Sequence, residues 1–170
     1  MQKNLPRSGG YKLLAFSINS QENGFSLWDG DKLIESGSLE IKKGRYFRTL
    51  RGIFFGVLKK IKEVKPDYVA VKQEIMLKHP GMTSKNMRIV GLVMGACFLA
   101  ERTMVLEVSK EAVLHSAGLH SFTRNDTVRS LLVKNISKII GKDIKYFKEA
   151  EAIAVGIAAN WELKISLLKK

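Results

Sequence analysis

The chain has 170 residues, 45% of them hydrophobic and 26% charged, which is ordinary for a water-soluble globular domain with one sizeable core. The charge balance is not ordinary: 29 Lys and Arg against 16 Asp and Glu leave a formal charge of +13, an excess that favours a polyanionic partner through phosphate neutralisation and counterion release. Cys97 is the single cysteine, which excludes an intramolecular disulfide and a cysteine-based zinc site. No apolar run has the length of a membrane span, the longest being Ile89–Ala100, and no signal-peptide pattern opens the chain. The expectation is a cytoplasmic or nucleoid protein without membrane contact.

Residues 1–10 are polar, with Pro6 and Ser8-Gly9-Gly10, and read as a loose leader before one domain over 11–165 and a basic tail at 166–170. Tyr11–Ile18 is an apolar run of strand length. Gly24–Trp28 and Lys32–Glu40 are separated by Asp29-Gly30-Asp31, and Asp-Gly between apolar runs marks a hairpin because the turn needs positive φ. Leu33, Glu35, Gly37, Leu39 and Ile41 alternate with Ile34, Ser36, Ser38 and Glu40, the pattern of a strand with one wet face.

Over Gly44–Val64 the period changes. Phe47, Leu50, Phe54, Val57, Leu58, Ile61 and Val64 recur at three- and four-residue steps among lysines and arginines, as on an amphipathic helix, and Lys65-Pro66-Asp67 stops it. Tyr68–Val71 is a short run of strand formers. A polar loop through His79-Pro80-Gly81 leads to a helix over about Thr83–Glu101, a strand at Thr103–Val108, and helices near Lys110–Ser116, Arg124–Ile140 and Phe147–Leu163. The order β-β-β-α-β-α-β-α-α-α predicts an α/β fold with a mixed five-stranded sheet. A three-strand meander is extended by strands joined through helices, and helices cover both faces.

Strand ends are where such sheets place ligands and reactive groups. Three stretches qualify: Phe16-Ser17-Ile18-Asn19, Val71-Lys72-Gln73-Glu74, and Phe147-Lys148-Glu149-Ala150-Glu151-Ala152-Ile153-Ala154. Here the chain resembles the RuvC-type Holliday-junction resolvases of the RNase H-like superfamily. Their first strand ends in Ile-Asp-Pro-Gly, their fourth carries Glu-Gln after Ala-Ile, and their last helix opens with an acid or His before Asp-Ala-Leu-Ala. Leu14-Ala15-Phe16-Ser17-Ile18-Asn19-Ser20 stands at the first motif and Pro66-Asp67-Tyr68-Val69-Ala70-Val71-Lys72-Gln73 at the second. Glu151-Ala152-Ile153-Ala154 stands at the third. The likeness runs from about Tyr11 to Ala159, with all elements in order.

The resemblance implies an RNase H-like fold and, in the family, four acids that hold two divalent metal ions for phosphodiester cleavage. Carried over one by one, those positions are Ser17, Lys72, Lys148 and Glu151, and Glu151 alone is a carboxylate. An ammonium group repels a metal and accepts no hydrogen bond. Ser17, Lys72, Lys148, Glu149 and Glu151 sum to zero formal charge with no metal. That balance predicts Lys72 or Lys148 paired with Glu151, no metal and no cofactor. The alternative is a displaced one-metal site for Mg²⁺ or Mn²⁺ built from Glu74, Glu149, Glu151 and Asn19. Against it, Glu74 reads better as a solvated strand-end charge, and Glu149 and Glu151 read equally as acids complementing a helix dipole.

The resemblance also implies DNA contacts. The loop after the fourth strand, with Ile75, Met76 and Lys78, falls where the family wedges near the junction crossover, followed by Lys85 and Arg88. Arg124 falls on a basic family position and is joined by Arg129 and Lys134. Arg45, Arg48, Arg51, Lys59, Lys60 and Lys62 read as the solvated face of the first helix. Gly91, Gly95, Ala96 and Ala100 permit close helix approach, inside the fold or across a two-fold axis; the family pairs through this region, which implies a homodimer. His79, His115 and His120 lack the spacing of a metal motif, and Met82, Met87 and Met94 suit helix packing. The leading expectation is a RuvC-like homodimer that binds branched DNA without cutting it. A divergent metal-dependent junction endonuclease and a protein-interaction module on the same fold are the alternatives.

Overall fold

The computed structural model describes residues 10–19, 21–41, 44–73, 80–101, 104–120 and 125–168, with 80–86, 125–126 and 167–168 described by backbone only. Strands β1 (Lys12–Ile18), β2 (Asn23–Asp29), β3 (Lys32–Ser38), β4 (Tyr68–Lys72) and β5 (Met104–Val108) form one sheet in the order β3-β2-β1-β4-β5. The first three pair antiparallel, and β4 and β5 run parallel to β1. Gly30, at φ 53°, makes the turn between β2 and β3 that Asp-Gly predicts. The expected mixed five-stranded sheet is present.

Strand parity divides the interior into two apolar layers. Leu14, Phe16, Phe25, Val69 and Val71 face α1 (Tyr46–Val64) and α2 (Pro80–Leu99), meeting Ile53, Val57, Ile61 and Val93. Leu13, Ala15, Trp28 and Ala70 face the other way, toward α3 (Lys110–Ser116), α4 (Asn125–Ile140) and α5 (Phe147–Leu168). β1 and β4 are therefore covered on both sides, which is why they read as unbroken apolar runs. Each aliphatic side chain buried this way contributes roughly 1.5–3 kcal/mol. Cys97 lies in the first layer, where burial pushes its thiol up to about 11, so it behaves as a small hydrophobe.

Two glycines let α5 lie flat on β2. A Cβ on Gly24 would collide with the backbone of Lys148, and one on Gly156 with the indole nitrogen of Trp28. Between them Ser26 Oγ donates to the carbonyl of Ala152 at 2.8 Å and accepts from Trp28 Nε1 at 2.9 Å.

Several expectations need correction. The pairing of β2 with β3 shifts between Leu27 and Trp28, so Leu33 opposes Trp28 while Glu35 opposes Leu27. Ile34 is the extra residue of a β-bulge. Leu33 consequently joins the α5 layer, whereas Leu39 and Ile41 join the α1 layer, and the simple alternation over this strand fails. Phe47, placed on the inner stripe of α1 by its spacing, is 81% exposed because it precedes the part of the helix that reaches the sheet. Met87, expected to pack inside, is nearly half exposed. Helix α5 continues to Leu168, past the predicted end at Leu163 and into the segment read as a tail. No described helix is long and apolar enough to cross a membrane. Leader residues 1–9, Glu74, Ile75, Met76, Lys78, His79 and Arg124, with the side chains of Met82 and Lys85, lie outside what is described.

Candidate functional site

β1 and β4 end side by side, with Phe16 opposite Val71 in the last paired rung. One residue further, parity turns Ser17 and Lys72 toward α5, the side already taken by Ala15 and Ala70. The first turn of α5 lies over this point because Gly24 lets its backbone down onto β2. Lys148 and Glu151, three residues apart on the helix, then share the face that looks at the strand ends.

The four side chains meet. Lys72 Nζ reaches Glu151 Oε1 at 2.7 Å, and Lys148 Nζ and Ser17 Oγ both donate to Glu151 Oε2. Lys148 Nζ also donates to Ser17 Oγ at 3.1 Å and lies 5.2 Å from the ring centre of Phe147. Where the charge argument asks for one lysine opposite Glu151, both stand there. Glu151 is 5% exposed and Ser17 3%. Burial alone would push the Glu151 carboxyl up; the charges and hydrogen bonds of Lys72 and Lys148 overcome it and hold the group at about 2, so it is ionised throughout the neutral range. A cavity of about 30 Å³, with Phe16, Ile18, Val71 and Val93 in its wall, adjoins Ser17, Lys72 and Lys148.

Glu149 does not join the group. Two residues before Glu151, it points to the opposite side of the helix, where Oε1 accepts from Ser36 Oγ at 2.7 Å and meets Lys142 Nζ at 3.6 Å. The neutral count that includes Glu149 therefore does not describe the cleft. Of the acids and lysines named for it, the cleft brings together Lys72, Lys148 and Glu151.

These donors do not suit a divalent cation of the kind that the sequence resemblance implies. Such a cation needs several free oxygen ligands. Here one carboxylate has both oxygens engaged by ammonium groups, and the other neighbour is a hydroxyl. Among the described residues no three His, Cys, Asp or Glu side chains stand close enough to share an ion.

Of the residues expected on a nucleic-acid surface, Arg88, Arg129 and Lys134 are described, and all three are exposed. Arg129 stacks its guanidinium 5.0 Å from the ring centre of Phe147, next to Lys148, so it flanks the cleft. Arg88 lies on α2 and Lys134 on the outer side of α4. Lys60 leaves the solvated series on α1: its Nζ meets Glu35 at 2.9 Å and sits 4.1 Å from the ring centre of Phe25. Sequence reasoning missed Gly24, Gly156, Ser36 and Lys142. A glycine inside a strand is a signal of close backbone approach. Ser36 and Lys142 carry no comparable mark.

The arrangement matches solved structures over nearly its whole length. Thermus thermophilus RuvC superposes with a TM-score of 0.70 at 14% identity, covering 91% of this chain and 96% of that one. The fold is that of RuvC. The same T. thermophilus RuvC in complex with a Holliday junction substrate gives a TM-score of 0.71 at 14% identity, over 90% of this chain and 96% of that one. The yeast mitochondrial Holliday junction resolvase gives 0.60 at 8% identity, over 95% and 82%. No family model and no curated protein matches the sequence. The RuvC likeness thus lies in the fold, at identities of 8–14%.

Proposed function

We propose that this chain is a RuvC-like nucleic-acid-binding protein that recognises branched DNA as a homodimer and does not cut it. The observation that carries the reading is the capping of Glu151 by both Lys72 and Lys148, at the strand ends of a fold whose solved relative holds a Holliday junction substrate. The resemblance puts metal-binding acids at Ser17, Lys72, Lys148 and Glu151; two of these positions now supply positive charge. That exchange removes repulsion between the cleft and phosphates, so binding becomes easier as metal-assisted cleavage is lost. Arg129 beside the cleft and the formal +13 of the chain act in the same direction.

The homodimer rests on α2. Along its outer side Met87, Phe98 and Leu99 are 46%, 86% and 57% exposed, and a Cβ on Gly91 would meet nothing within 4 Å. Such an exposed apolar stretch, with Arg88 beside it, suits a second helix of its own kind.

The test incubates protein with a labelled four-way junction and a matched duplex in Mg²⁺, Mn²⁺ or EDTA, followed by native and denaturing gels. A junction-selective shift with intact strands in every condition is expected. Metal-dependent nicks near the crossover would overturn the non-cutting reading, and equal affinity for junction and duplex would overturn branch recognition. Sedimentation of Phe98→Glu against the unaltered protein tests the dimer: the variant is expected to fall to monomer mass.

A further inference from the structure

The outer side of α1 has a composition unlike a plain solvated face. Arg45, Arg48, Arg51, Lys59 and Lys62 are all exposed there, against one carboxylate, Glu63, which Lys59 meets at 3.8 Å. Among the described residues no carboxylate pairs with the three arginines or with Lys62. Set into this cationic stripe are two phenylalanines, Phe47 at 81% exposure and Phe55 at 53%. Both rings are braced edge-on by an aromatic neighbour, Phe47 by Tyr46 at 5.7 Å and Phe55 by Phe54 at 5.3 Å between ring centres. The Arg51 guanidinium lies 5.6 Å from the Phe55 ring centre. Beside Phe55 an open groove of about 390 Å³ is walled by Leu58, Lys59, Lys62 and Glu63.

We propose that this face binds an unpaired, single-stranded stretch of nucleic acid, with bases on Phe47 and Phe55 and phosphates on the arginines and lysines. Solubility accounts for the charges but not for two exposed rings among them. An acidic protein surface would use the charges and leave the rings idle. Stacking on an aromatic side chain while cations track the backbone uses both. The strand must be unpaired, because bases inside a duplex offer no free face. The two rings are about 12 Å apart along the helix axis, from the rise per residue. Because β3 runs in the same sense as β1, α1 begins at the end of the sheet where β1 and β4 finish. The stripe therefore starts at the same end of the sheet as the cleft but on the opposite layer. The inference shares a ligand class with the proposed function and rests on different residues.

The test measures binding of a fluorescent dT 20-mer and of the four-way junction to the unaltered protein, to Phe47→Ala/Phe55→Ala, and to Arg48→Ala/Arg51→Ala. All four positions are exposed, and circular dichroism checks the fold of each variant. The phenylalanine pair is expected to weaken dT binding on the order of tenfold or more, with junction affinity held within about threefold. The arginine pair is expected to flatten the salt dependence of dT binding, by about 0.7 in log–log slope for each phosphate that is no longer neutralised. Phe47→Trp in a Trp161→Phe background is expected to lose emission as dT is added.

Unchanged dT affinity in the phenylalanine variant overturns this inference and leaves the junction reading standing. Loss of dT binding in that variant, in a protein that ignores junctions, supports the inference and removes the junction reading. A protein that binds neither nucleic acid overturns both. A drop in oligomer mass for the phenylalanine variant, with dT binding intact, assigns the stripe to a protein contact and overturns the inference.

Discussion

Glu149 and Glu151 are two residues apart on α5, both buried, and in opposite surroundings. Glu151 faces β1 and β4 and is closed in by two ammonium groups and a hydroxyl. Glu149 faces the edge strand β3, where a serine hydroxyl and a half-exposed lysine satisfy it. A helix separates neighbours at this spacing by most of half a turn, so two acids that look alike in sequence belong to different layers of chemistry. Glu151 is one member of a charge cluster that stands or falls together. Glu149 is an anchor between a helix and a sheet edge.

The largest expected difference between them lies in removal. Glu151→Gln takes from Lys72 and Lys148 the counter-charge they share and is expected to cost about 3–5 kcal/mol in urea unfolding. Glu149→Gln keeps an oxygen for Ser36 and is expected to cost about 1 kcal/mol or less. Equal losses would erase the distinction. Acid titration sharpens it further. The Glu151 carboxyl is held at about 2, below its ordinary 4.5, so the stability it contributes is fully present above about pH 4.5. It is lost as the pH falls from there toward 2. In Glu151→Gln the unfolding free energy should lose that part of its acid slope, whereas Glu149→Gln should retain it.

A smaller effect is expected from the strand that carries α5. Gly24→Ala forces a methyl group into the Lys148 backbone and is expected to cost roughly 1–3 kcal/mol. It should also loosen the Lys148 contact with Glu151, read as a shift of the acid limb back toward pH 4.5. The smallest change is expected from the boldest substitution. Replacing Ser17, Lys72, Lys148 and Glu151 together by Ala, Met, Met and Leu removes every charge of the cluster at once, and stability should be kept or gained. Junction binding measured on the same variant should weaken, because the cleft loses two ammonium groups that can meet phosphates.

Much of this was legible in the residues. The apolar runs, the Asp29-Gly30 turn and the change of period after Gly44 are local signals, and local signals place the five strands and most of the helices. The cluster at Ser17, Lys72, Lys148 and Glu151 was legible because three short motifs fall at family separations, and parity then brings the side chains together. What stayed hidden depends on contacts far apart in the chain. Nothing near Glu149 announces Ser36, and nothing near Gly24 announces Lys148. The bulge was hidden for another reason: one residue too many in a strand leaves its composition unchanged. The arginines and lysines of α1 were legible as charge, but the exposure of Phe47 was not, because periodicity assigns a face without knowing where the sheet ends.

That bulge has a consequence for the molecule as a member of a crowd. β3 is an outer strand, and an outer strand offers unpaired backbone groups to any other chain. The extra residue at Ile34 interrupts the ladder and sharpens the local twist. Just after it, Glu35 is tied back to α1 through Lys60 and Ser36 to α5 through Glu149. A flat strand from a neighbour would find the hydrogen-bonding groups out of step and the edge bent away. The same residue that spoils the alternation thereby guards this edge of the sheet against an added strand.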